Sequence, residues 1–154
     1  MTTVSGKVIL GPGEGRHIDV PGHPLTFKAS KDDTRGAYSL IEGLVTGDGP
    51  PQHVHLAEEE AFYVLEGEIN VKLDDEVVRA KPGSFILVPR GTTHTFWNAG
   101  EGVAKLLVLF SPTGMEEYFA EVVGEGGIDT ETFISRGMAV AEKYHLEIVG
   151  PPLG

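Results

Sequence analysis

Cysteine is absent from the 154-residue chain. Without thiols there is no disulfide framework, no thiolate zinc site and no cysteine nucleophile. Basic residues are also scarce: 12 Lys and Arg stand against 23 Asp and Glu, for a formal net charge of −11. Binding to nucleic acid or to an anionic membrane surface rests on Lys and Arg, so neither partner is expected. The acidity itself reads as solubility. No apolar stretch approaches the length of a membrane-spanning helix, and Met1 to Leu10 lacks the basic start and apolar run of a signal peptide. Together with the missing thiols, this leads us to expect a cytoplasmic protein.

Gly and Pro are plentiful. Their 21 and 10 copies fill a fifth of the chain, against a usual share of roughly 12%, and they follow no collagen-like period. Many turns between short strands explain this excess, so the expected fold class is all-β, a sandwich or barrel. A length of 154 residues with 40% hydrophobic content suits a single domain over residues 1–154 with its own core. Strand patterns recur at 25–29, 37–46, 52–55, 60–66, 68–73, 76–81, 84–88, 94–98 and 103–110, each closed by turn residues. Residues 1–24 hold short apolar runs that read as peripheral strands or extended segments. The stretches Ala61–Leu65 and Leu106–Phe110 are apolar throughout, as in strands covered on both faces. The barrel core would cover one face, and a helix or a second subunit the other, which makes a homodimer the expected assembly.

Beyond Ser111-Pro112 the period changes. Met115, Tyr118, Phe119, Val122 and Val123 form a helical stripe, with Thr113 and Glu116 as a capping box and Gly124 as a stop. A second stripe runs Phe133, Ile134, Gly137, Met138, Ala141, Tyr144, capped by Asp129 or Thr130. Two short C-terminal helices are therefore expected within about 113–145, after a barrel spanning about 7–110. The first is expected to pack outside the sheet rather than over the barrel mouth. Gly150-Pro151-Pro152 reads as a stop.

Six histidines occur, and two form His53-Val54-His55. On a strand, residues i and i+2 share a face, so both imidazoles project together and suit one metal ion. The surrounding spacing runs Gly47-x5-His53-x-His55-x4-Glu60-x6-Gly67. After 15 residues comes Gly83-x5-Pro89-x-Gly91-x2-His94-x3-Asn98. Ten positions at fixed spacing coincide by chance on the order of 10⁻¹² per alignment at average residue usage. The two stretches resemble both signature motifs of the cupin superfamily, and the C-terminal helices look similar to those of small quercetinase-like cupins.

This resemblance implies a jelly-roll barrel, or double-stranded β-helix. It also implies a metal site formed by His53, His55, Glu60 and His94, with Asn98 outside the ligand set. Glu58 and Glu59 compete with Glu60, but the motif spacing favours Glu60. Strand parity lets only one of Glu59 and Glu60 face inward; with Glu60 inside, Phe62 and Val64 follow it. Three imidazoles and a carboxylate suit one divalent transition metal: Mn, Fe, Co, Ni, Cu or Zn. Among the aromatic residues Phe27, Tyr38, Phe62, Phe85, Phe96 and Trp97, the pocket candidates are Phe62 and Phe96. Phe96 shares the face of His94, and Trp97 points away. Lys28 and Arg90 read as solvated charges, and His17, His23 and His145 as surface residues. The expected function is a metal-dependent, dioxygenase-like enzyme acting on a small organic substrate, with Glu60 as its catalytic carboxylate. A non-catalytic small-molecule binder or sensor, and a metal-dependent isomerase or lyase, are the alternatives.

Overall fold

Alternating inward and outward side chains assemble the chain into two facing sheets, seen in a computed structural model that describes residues 2–4 and 6–154. In chain order the strands are β1 (Thr2–Val4), β2 (Lys7–Ile9), β3 (Arg16–Val20), β4 (His23–Ala29), β5 (Ser39–Val45), β6 (Gln52–His55) and β7 (Glu59–Glu66). They continue with β8 (Ile69–Leu73), β9 (Glu76–Ala80), β10 (Phe85–Val88), β11 (His94–Asn98), β12 (Ala104–Ser111) and β13 (Leu146–Gly150). Helix α1 is a single turn (Lys31–Thr34), and α2 (Met115–Val123) and α3 (Thr130–Val140) follow the barrel. One sheet has the order β10-β7-β12-β5-β4-β3 and the other β13-β6-β11-β8-β9. Every pairing is antiparallel. The architecture is the jelly roll that the cupin resemblance implied, within the sandwich-or-barrel class that the strand spacing pointed to.

The inward faces meet in one core. In β5 the buried positions are Ser39, Ile41, Gly43 and Val45; in β12 they are Ala104, Leu106, Val108 and Phe110. Phe62 of β7 is 1% exposed, and its ring meets that of Phe96 edge to face at 5.2 Å. Gly67 turns the chain from β7 to β8 at φ +70°, and a Cβ there would lie 2.8 Å from Cα of Ala104, so the turn has no room for a side chain.

Residues 16–20 form an edge strand, as a peripheral strand would: β3 is bonded along its length to β4 alone, yet Ile18 and Val20 reach the core. Several expectations are corrected. Between the helices and the stop at Gly150-Pro151-Pro152 lies an unexpected strand: β13 pairs with β6, setting Leu146 opposite His55 and Ile148 opposite His53. Helix α2 has no capping box: its N-cap is Gly114. Glu116 turns inward instead, accepting a hydrogen bond from the buried Ser39 hydroxyl. Asp129 does cap α3, accepting from the Thr132 amide at 2.7 Å. The second stripe is broken, because α3 ends at Val140 and Ala141–Tyr144 tighten into a 3₁₀ turn. Phe133, Gly137 and Ala141 stay inside, while Met138 is 58% exposed.

The outer face of β7 and β10 carries no helix. Tyr63, Leu65, Phe85 and Leu87 stand exposed there, with Tyr63 opposite Phe85 in register. Among the described residues, no helix is long and apolar enough to cross a membrane.

Phe62 fills the core between the sheets, so Phe62→Ala should cost about 3–5 kcal/mol of unfolding free energy. Urea unfolding followed by circular dichroism measures this. A loss below about 1 kcal/mol would contradict the packing described.

Candidate metal centre

The four motif side chains reach one point from both sheets. His53 and His55 share a face of β6, and register sets His94 of β11 opposite His53. Glu60 enters from β7, opposite Val88 and Phe110. His53, His55, Glu60 and His94 offer one ligand atom each, all within 4.8 Å of one another. The imidazole centroids lie 4.2 Å apart for His53 and His94, 4.9 Å for His53 and His55, and 5.3 Å for His55 and His94. Parity resolves the carboxylates: Glu60 is buried and Glu59 is exposed. Glu58, in the turn before β7, is buried as well.

Hydrogen bonds set the proton positions. His53 Nδ1 donates to the Pro51 carbonyl at 2.7 Å, and His94 Nδ1 to that of Thr92 at 2.9 Å. In both cases the carbonyl two residues back leaves Nε2 aimed at the centre. His94 Nε2 also donates, to Glu60 Oε1 at 2.8 Å, so without metal this pair is imidazolium and carboxylate. Burial opposes both charges, but the His55 and His94 imidazoles beside Glu60 hold it well below the usual carboxylate range, and the Glu60 carboxylate lifts His94 above its ordinary value. Burial, reinforced by His94 and His55, pushes His53 well below 6.5 and keeps it neutral.

The donor set fits a metal ion on direct observation. Both nitrogens of buried His55 lack a hydrogen-bond partner. Its Nε2 lies 3.4 Å from Glu60 Oε1, and its Nδ1 lies 4.0 Å from Glu58 Oε1, which is also unpartnered. Buried polar atoms without partners are costly, and a shared cation would satisfy Nε2. With three nitrogens and one oxygen, the ligands match a first-row divalent metal rather than Ca²⁺ or Mg²⁺.

The cluster opens into a cavity with mostly apolar walls. Phe96 lines it, as do Leu146 and Ile148 of β13. Phe62 lies behind Phe96 and outside the lining. Phe27 belongs to the core, and Tyr38 and Phe85 are exposed at 39% and 64%. Trp97 stays off the cavity. Lys28 donates to the Glu14 carbonyl at 2.7 Å, and Arg90, His17 and His145 are exposed. His23 does not: its ring lines the cavity.

The helices are the larger correction. Met115, Tyr118 and Phe119 of α2 and Phe133 and Ile134 of α3 line the same cavity as His53, His55 and Glu60. The apolar stripes therefore close the barrel mouth rather than cover a sheet from outside. Alternating Leu146, Glu147, Ile148 was the available signal for β13. The covering of the mouth and the place of His23 had no local signal.

Residues 40–110 match the family described as the cupin domain. Quercetin 2,3-dioxygenase of Bacillus subtilis is 28% identical over 119 residues, which is 76% of this chain and 34% of that protein. An uncharacterized protein of Methanocaldococcus jannaschii is 34% identical over 91 residues, 58% of this chain and 68% of that one. The crystal structure of an RmlC-like cupin from Shewanella frigidimarina superimposes with a TM-score of 0.62 at 18% identity, covering 72% of this chain and 96% of that one. The chain thus spans about a third of the dioxygenase's length.

Metal-free protein should be most stable near pH 6.5. Below that value the unfolded chain binds protons that neutral His53 refuses, so stability falls with pH. Above it, the unfolded chain has lost the proton that His94 retains, so stability falls as pH rises towards the raised His94 pKa. Urea unfolding across pH 5–9 measures both limbs. His94→Gln should remove the alkaline limb; an unchanged alkaline limb in that variant would contradict the pairing with Glu60.

Proposed function

This chain belongs to the cupin superfamily, and from that premise we propose that it is a metal-dependent enzyme with dioxygenase-like chemistry on a small organic substrate. The observation that carries the reading is a three-imidazole, one-carboxylate cluster at the wall of an apolar cavity. His53, His55, Glu60 and His94 would hold one Mn, Fe, Co, Ni, Cu or Zn ion. A metal held by these residues would face the substrate from the wall of the apolar cavity beside them. A metal bound there would supply Lewis-acid or redox chemistry to substrate oxygen and O₂.

The chain's own groups do the rest. The apolar wall with Phe96 binds the body of the substrate, and α2 and α3 keep water from the cavity. Oε1 of Glu60 accepts a hydrogen bond from His94 Nε2; with a metal held by the cluster, both groups would serve as ligands. Glu60 is also the carboxylate placed to take a substrate hydroxyl proton. The likeness to the quercetin 2,3-dioxygenase supports oxygen chemistry and sets quercetin as the first substrate to try.

Protein purified without added metal should carry about one transition-metal ion per chain by elemental analysis. The double variant His53→Ala, His94→Ala should carry essentially none, and full metal content in it would overturn the ligand set. Quercetin turnover should stop under anaerobic conditions. Turnover that persists without O₂ would point to isomerase or lyase chemistry, and tight binding without turnover to a non-catalytic binder.

We also propose a homodimer formed through the bare outer face of β7 and β10, where Tyr63, Leu65, Phe85 and Leu87 gather. Sedimentation should give twice the 16.5 kDa chain mass, and Phe85→Lys with Leu87→Lys should shift it to the single mass. A monomeric wild-type protein at tens of micromolar would contradict this.

A further inference from the structure

His23 stands on the wall of the metal-site cavity without belonging to the four-residue cluster. It opens β4, and its place is prepared by the neighbouring strand β5. Three of the four inward positions of β5 carry side chains: Ser39, Ile41 and Val45. The fourth is Gly43, where a Cβ would lie 2.6 Å from Cε1 of His23. The missing side chain makes the space that the imidazole fills. Phe96 packs against the ring at 5.0 Å with planes at 66°.

The tautomer of His23 is fixed as well. Its Nδ1 lies 2.7 Å from the Leu44 carbonyl oxygen. A carbonyl only accepts, so Nδ1 carries the proton and Nε2 keeps a free lone pair. Burial lowers the His23 pKa, against the opposing pull of the Leu44 bond and Glu60, and favours the neutral ring. Among the described residues, Nε2 has no hydrogen-bond partner. A rigidly held acceptor is thus part of a cavity whose other walls are mostly apolar.

We propose that His23 contacts the substrate, its Nε2 accepting a hydrogen bond from a hydroxyl group on an otherwise apolar molecule in the cavity. The proposal rests on the reading of this cavity as a small-molecule site. It makes His23 a specificity-determining residue. An acceptor left unpaired in an apolar site disfavours a ligand that cannot donate, so a hydroxylated ligand is selected over its methyl ether.

Phenol and anisole isolate that choice, differing only in the donor. Zinc-loaded protein labelled with ¹⁵N-histidine is titrated with each and followed by NMR, with zinc content measured on the same sample. Phenol should shift the His23 Nε2 resonance and bind about 3- to 10-fold more tightly than anisole, the range expected for one neutral hydrogen bond. The preference should fall to about one in His23→Phe, which fills the same slot with an apolar ring. The wild-type resonance shift needs no variant and stands if His23→Phe fails to fold. Equal binding of the two probes, a preference that survives in His23→Phe, or no binding of either would overturn the proposal. A sample that takes up no zinc yet shows the phenol preference would overturn the metal reading and leave the role of His23 standing.

Discussion

The constraint around which the structure is organised is the meeting of Glu60 and His94, hydrogen-bonded where the two sheets face each other. A carboxylate buried in an apolar barrel is strongly disfavoured unless paired. Glu60 is 4% exposed and His94 1% exposed. Each comes from a different sheet: β7 belongs to the six-stranded one and β11 to the five-stranded one. The pair therefore ties the sheets together electrostatically at the same point where His53 and His55 arrive. The core around this point is mostly apolar, so a cluster of four ionisable groups there is an expense in stability that binding a cation would relieve. His55, with both nitrogens unpartnered, shows where that relief is missing in the protein alone.

Around this centre the barrel divides its labour. Strands hold the ligands rigidly, because i and i+2 positions on β6 and the register with β11 leave little freedom. Backbone carbonyls at Pro51 and Thr92 fix the rings of His53 and His94. His55 lacks such a carbonyl and faces Glu58 instead. Helices α2 and α3 form the covering side of the cavity.

The jelly roll and the four-residue cluster were legible because their signals are local. Short apolar runs between turn residues mark strands, and the His-x-His, Glu and His spacings lie within contiguous elements 52–98. Motif spacing chose Glu60 over Glu59, and parity required that only one of the two face inward. What escaped depends on packing between distant segments. Leu146-Glu147-Ile148 alternates like a strand, but five residues after a helix carry little weight until β6 offers an edge to pair with. Glu116 fits a capping box in sequence, yet the buried Ser39 hydroxyl, 77 residues away, draws it inward. His23 looked like a surface residue because nothing near it in sequence reveals the space above Gly43. Phe62 and Phe96 sit at equivalent inward positions, and only the stacking order of their rings shows that Phe96 alone borders the cavity.

The central claim is that three imidazoles and one carboxylate share a single metal ion. X-ray absorption spectroscopy at the metal edge of the loaded protein tests it most directly. The account predicts a first shell of nitrogen and oxygen at about 2.0–2.2 Å, with multiple-scattering features of about three imidazoles and no sulfur. A shell of oxygen alone, or one imidazole or none, would contradict it.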